Sequence, residues 1–152
     1  MNNQTLAAPV AATPEIVDLQ QTTCCIVGGG PAGAVLALLL ARQGIKVILL
    51  EVHRDLDRDF RGDTIHPSTM EIMAELGLAE RLLALPHTKI SELNIQPPQG
   101  EPFHADFRAL NTQYPFITVM PQVKFLEFIV AEAEQYPNFQ VIMSANVHWT
   151  LD

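Results

Sequence analysis

The run Gly28-Gly29-Gly30-Pro31-Ala32-Gly33 constrains this chain more than any other stretch. Residues 22–27, just ahead of it, are apolar, β-branched and cysteine-containing, which predicts a buried parallel strand. Residues 31–43, just behind it, are mostly Ala and Leu with almost no polar face, which predicts a helix buried nearly all round. Pro31 suits a first helical turn, where its missing N–H costs nothing, and Gly44 is a natural stop. Residues 46–51 then read as a second buried strand with Glu51 at its end. Strand, glycine turn, helix and strand in so short a span make a βαβ unit with parallel strands and a right-handed crossover.

The turn fits the spacing G-x-G-x-x-G, and each glycine has a task. Gly28 permits the tight turn, Gly30 lets the backbone approach a diphosphate, and Gly33 lets the helix lie close to the strand. The helix start at Pro31-Ala32-Gly33, with the free backbone N–H groups of Ala32 and Gly33, brings the positive end of the helix dipole to the phosphates. A glycine-rich turn alone is a weak signal, and a purely structural turn is its rival. The context strengthens it, because Glu51 lies eighteen residues beyond Gly33. A carboxylate there accepts hydrogen bonds from ribose hydroxyls and repels a 2′-phosphate. The expected ligand is FAD or NAD rather than NADP.

Composition bounds the partners. The 152 residues suit one domain, 48% of them are hydrophobic, and the formal net charge is −8. That acidity argues against a nucleic-acid or anionic-membrane partner, since both need basic surface. An anionic ligand must then be held by local devices such as a helix start or single arginines. Cys24 and Cys25 are sequence neighbours, between which a bond is strained and rare, which argues against a disulfide framework, fits a reducing compartment and suggests small core residues of a strand. No run reaches the ~18 apolar residues of a membrane span. Residues 1–21 lack a secretion-signal pattern and read as a flexible lead-in, with a short amphipathic turn at 16–19 as the alternative. The expected location is cytoplasmic.

Further along, residues 52–63 read as a charged loop, and Pro67 opens a helix over 68–76 that Gly77 stops. More helix follows at 78–85. Residues 90–95 alternate like a strand, and 103–107 could pair back on them through the turn at 97–100. Residues 121–136 have helical spacing, and 139–143 and 147–151 look like strands. His53, His66, His87, His104 and His148 show no metal-ligand spacing, His66 reads as a helix-start residue, and no nucleophile elbow or paired-carboxylate site appears.

Three blocks together resemble a known family: VGGGPAGAVLALLLARQGIKVILLE, RGDTIHPSTMEIMAELGL and MPQVKFLEFIVAEAE. They look like the para-hydroxybenzoate hydroxylase type of FAD-dependent aromatic monooxygenase, over essentially residues 22–151. The resemblance implies an α/β, Rossmann-like FAD-binding fold, present as its N-terminal part, with the start of a substrate-domain sheet in 90–107. It implies that Gly28, Gly30, Gly33 and Glu51 hold the ADP half of FAD. Arg61 matches an arginine that contacts the cofactor, with Gly62 and Asp63 shaping its loop, although Arg61 could instead pair with Asp59 or Asp63. Gln122 matches a glutamine that reaches FAD, and Val147 matches a strand beside the adenine.

In that family NAD(P)H reduces the flavin, and oxygen from O2 passes to an aromatic ring. The protein contributes orientation, water exclusion and tuning of the flavin. Family members are longer, and the downstream Asp-Gly and Gly-Asp segments are absent here. The implied expectations are an exposed sheet face and edge, weak FAD binding by this chain alone, no hydroxylation by it, and a second chain as one way to complete the fold. The alternatives are part of a flavin halogenase or isoprenoid reductase, or a non-catalytic nucleotide- or partner-binding module.

Overall fold

The computed structural model describes residues 20–57 and 62–148. Along the chain come β1 (Cys24–Val27), α1 (Pro31–Arg42), β2 (Val47–Leu50), β3 (Thr64–Ile65), α2 (Pro67–Glu75) and α3 (Ala79–Leu83). There follow β4 (Thr88–Ile90), β5 (Glu92–Ile95), β6 (Phe103–Asp106), a 3-10 turn (Phe107–Ala109), β7 (Ile117–Val119), α4 (Gln122–Ala133) and β8 (Phe139–Ile142). The α/β class and the βαβ opening are as the sequence predicts.

β2 is the centre of a parallel sheet in the order β1-β2-β8. Cys24 lies opposite Val47, and Val47 in turn opposite Phe139. Alternation along these strands sends Ile26, Val47 and Leu49 into a core shared with Ala34, Ala37 and Leu38 of α1 and Leu126, Ile129 and Val130 of α4. Leu38, Leu49, Leu126 and Ile129 are fully buried, each contributing roughly 1.5–3 kcal/mol of transfer free energy. Alanines on the inward face of α1 allow the helix to lie close against its neighbours.

Two expectations about this layer need correcting. α1 is not buried all round, because Leu36 and Leu39 face outward while its small residues face the core. Its apolar composition therefore marked a one-sided packing surface and a second, uncovered one. β1 is likewise half open: Cys25 and Val27 are exposed on the face turned away from the helices. Cys25 is thus not a core residue here.

The remaining elements form two small antiparallel sheets. β7 lies between β3 and β4, and β5 pairs with β6 as the predicted hairpin, Ile95 opposite Phe103. The alternating stretch at 90–95 is not one strand, however. Ser91 separates β4 from β5, and the two belong to different sheets. Alternation persists through such a bend because each half separately keeps one face inward. Residues 145–148 follow β8 without regular structure, so the second expected strand is absent as far as the described residues reach.

Thr118, in the middle of β7, is fully buried opposite Ile65 and Lys89, and its hydroxyl has no hydrogen-bond partner. A lone buried hydroxyl carries a desolvation penalty that an isosteric methyl lacks. Thr118→Val should therefore raise stability by about 1 kcal/mol, read as a higher urea midpoint with unchanged slope.

Candidate functional site

The glycine bend is held from two sides. Gly28, at φ 105°, donates its N–H to the Leu50 carbonyl at 2.7 Å, tying the bend to the end of β2. Gly33 lies so close beneath that a Cβ built on it would stand 2.0 Å from the Gly28 carbonyl oxygen. Only glycine permits that approach. At Gly30 a Cβ would meet nothing within 4 Å, so the outer side of the bend is open. Gly30 is the N-cap of α1, offers no side-chain cap, and the first turn contains no acidic residue. Pro31, Ala32 and Gly33 thus present a helix start with a positive dipole end and no protein carboxylate in the first turn.

Glu51 faces this bend. It is only 1% exposed, and its Oε2 accepts the Gly29 N–H at 2.6 Å. Its Oε1 accepts the backbone N–H of His53 at 3.0 Å and lies 2.6 Å from His53 Nδ1. A buried carboxylate is tolerated only when its oxygens are hydrogen-bonded, and these contacts supply that. Gly29 and His53 are the members of the site that spacing alone did not single out. A Cβ at Gly29 would press on Glu51 Oε2 at 3.1 Å, so this middle glycine makes room for the acid. The clue for His53 was its place two residues after Glu51.

The chain after β8 crosses the same spot. Ala145 N–H donates to the Glu51 carbonyl at 2.8 Å and Ser144 N–H to the His53 carbonyl at 2.9 Å. Ser144 has φ 58°, the one non-glycine residue with positive φ among those described. Val147, half-buried, follows in this irregular segment. It lies two residues beyond Ala145 and is not on a strand.

Gln122 belongs to a second cluster that meets the first at Pro31. Its backbone N–H reaches Asp63 Oδ1 at 3.3 Å and its Nε2 reaches the Gly62 carbonyl at 3.4 Å. Met120 N–H donates to the Asp63 carbonyl at 2.9 Å. Loop 62–63, with Gly62 at φ 95°, is thereby fixed to the start of α4. These residues enclose a cavity of about 120 Å³ lined by Pro31, Asp63, His66, Met120, Gln122 and Phe125 among others. His66 is the N-cap of α2, its carbonyl accepting from Thr69 and Met70, as its place before Pro67 suggested. Arg61 lies outside the described residues, as do residues 1–19 and 149–152.

The cavity is smaller than the roughly 300–1,000 Å³ of drug-sized ligand sites, so it can take only part of a large ligand. A larger open groove of about 510 Å³ lies between α2 and residues 111–114, where Glu71 and Glu75 make it unsuited to an anion. No helix among the described residues is long and apolar enough to cross a membrane.

An uncapped helix start, a glycine bend open on its outer side and a buried acid turned toward it define a dinucleotide-binding βαβ domain. Residues 21–151 match the family model described as FAD binding domain, and the chain belongs to that family. It is 30% identical over 131 residues to 6-methylpretetramide 4-monooxygenase of Streptomyces rimosus, a match covering 86% of this chain and 31% of that protein. The chain therefore spans about a third of that relative's length. Among solved structures, p-nitrophenol 4-monooxygenase from Pseudomonas putida DLL-E4 has the same fold, with TM-score 0.69 and 24% identity over 80% of this chain and 31% of that one. The myxobacterial chondrochloren halogenase also shares the fold, with TM-score 0.67 and 23% identity over 81% of this chain and 28% of that one.

Proposed function

We propose that this chain forms the adenosine- and diphosphate-binding part of an FAD-dependent monooxygenase that hydroxylates aromatic compounds with NAD(P)H and O2. The observation that carries this reading is the buried Glu51 carboxylate bonded to Gly29 of the bend. Gly28, Gly30 and the helix start at Pro31, Ala32 and Gly33 would hold the diphosphate, and Glu51 the ribose hydroxyls. Gln122 and the loop at Gly62 and Asp63, with Arg61 beyond it, would follow the cofactor toward its flavin end. The backbone near Val147 would lie beside the adenosine.

FAD, when bound, supplies the redox chemistry that the side chains of this site lack. The residues present contribute position and charge. The dipole end of α1 favours the diphosphate, a local device that suits a chain of net charge −8. The names of relatives, monooxygenases of 6-methylpretetramide, rifampicin and phenol among them, support oxygenation of an aromatic substrate.

The test is the affinity of the purified chain for FAD, followed by flavin fluorescence, in wild type and Glu51→Gln. Loss of the charged acceptor for ribose hydroxyls should weaken binding at least about tenfold. The same substitution should lower discrimination against a 2′-phosphorylated analogue, because the repelling charge is gone. Equal FAD affinity in the two proteins would end this reading.

A further inference from the structure

We propose that His53 is a positioning residue: its imidazole holds the Glu51 carboxylate in its aim at the glycine bend and so sets the grip on the adenosine ribose. This rests on the assignment of Glu51 to ribose made above.

Both oxygens of Glu51 are engaged, yet by unequal means. Oε2 meets the backbone of Gly29, and Oε1 meets both the backbone N–H and the Nδ1 of His53. With two backbone N–H groups donating to it, the carboxylate acts as acceptor, which places the imidazole proton on Nδ1. The contact is 2.6 Å, in the short range of charge-assisted hydrogen bonds. A glutamate side chain has three rotatable bonds. A second fixed donor on Oε1 stops the carboxylate from turning away from the bend.

The arrangement also separates the side chain's role from that of its backbone. Ser144 and Ala145 pin the carbonyls of His53 and Glu51 from the neighbouring segment. The 51–53 backbone therefore keeps its path when the imidazole is removed. The imidazole itself is about half exposed, 54%, whereas Glu51 is 1% exposed. The imidazole thus reaches solvent on one side while bonding the enclosed acid on the other. What it changes is the freedom of the carboxylate, and through it the affinity for a ribose diol.

The experiment titrates the full chain with ADP to millimolar concentration and follows the amide resonances of Gly29 and Gly30. ADP carries both the ribose and the diphosphate but no flavin, and the readout needs no turnover. His53→Ala should weaken ADP by about tenfold, the loss of one charge-assisted hydrogen bond. His53→Asn, whose Nδ2 can stand where Nδ1 stands, should recover most of that loss. His53→Gln places its amide farther out and should not. In a Glu51→Gln background, His53→Ala should change affinity by less than about twofold, because the residue it acts through is already altered.

Undiminished binding in His53→Ala, alongside a clear loss in Glu51→Gln, would overturn the positioning role and leave the ribose assignment standing. A full further loss in the Glu51→Gln background would overturn it too, since His53 would then touch the ligand itself. No loss in Glu51→Gln would instead remove the ribose assignment on which the proposal rests. Should His53→Ala fail to fold, the Asn and Gln variants decide, and equal affinity of those two would refute the proposal.

Discussion

Gly33→Ala should lose about 3 kcal/mol of stability or more, and with it the ligand site. The added methyl would stand 2.0 Å from the Gly28 carbonyl oxygen and 3.3 Å from Ile26 Cγ2. The first neighbour is backbone, and it is locked by the Gly28 hydrogen bond to Leu50. Relief therefore requires α1 to lift from β1. That movement would open the buried contacts of Ala34, Ala37, Leu38 and Ala41, which exceeds the usual 1–3 kcal/mol of core overpacking. Gly30→Ala is the control. Its Cβ meets open space, and Gly30 at φ −71° and ψ −179° has a backbone that alanine adopts freely. It should melt like wild type while binding ADP more weakly, because the methyl occupies the approach to the helix start. Denaturation midpoints and ADP titration on the two variants measure both effects. Equal melting of Gly33→Ala and wild type would refute the packing argument.

Arg81→Ala should cost about 2–3 kcal/mol. Arg81 of α3 grips Glu132 of α4 with two hydrogen bonds, Nη1 to Oε2 at 2.7 Å and Nη2 to Oε1 at 2.5 Å, and its guanidinium lies 5.9 Å from the Phe128 ring centre. Glu132 is only 6% exposed, so removing its partner strands a buried charge. Arg81 is itself 56% exposed, which keeps the figure below that for a fully enclosed pair. The double variant Arg81→Leu with Glu132→Leu should recover most of the loss, since it leaves no unpaired charge. Urea denaturation of the single and double variants checks the asymmetry. A double variant no more stable than Arg81→Ala would show that the pair stabilises the fold by more than charge compensation.

Much of the first layer was legible from residues because its signals are local. Gly28 to Gly33 fix a bend, Ala and Leu fix a helix, and Glu51 ends a strand whose register follows from alternation. β3 and β7 were not legible: strands of two and three residues are too short for a period of two to stand out. The split at Ser91 was hidden by an alternation that ran through it. The outward face of α1 and the place of Cys25 were misjudged because apolar composition reports what a surface would like to touch, not whether a neighbour is present. At the site, Glu51 could be placed by spacing. The engagement of Gly29 and His53 with its two oxygens depends on how the chain folds back at 51–53. Gln122 came from family resemblance, and the structure sets it beside Gly62 and Asp63, around the cavity that Pro31 also lines.

The order β1-β2-β8 has a consequence for how this region assembles. The bend and its first two strands are neighbours in the chain and close a short loop, which is fast. β8 and the amides of Ser144 and Ala145 reach the same spot only after two small sheets and three helices have intervened. During synthesis the phosphate cradle should thus take shape early, while the backbone beneath Glu51 stays unsecured until the last described strand docks. Substitutions in β8 should slow acquisition of ligand affinity more than they slow appearance of helical signal, a kinetic signature that the finished fold no longer displays.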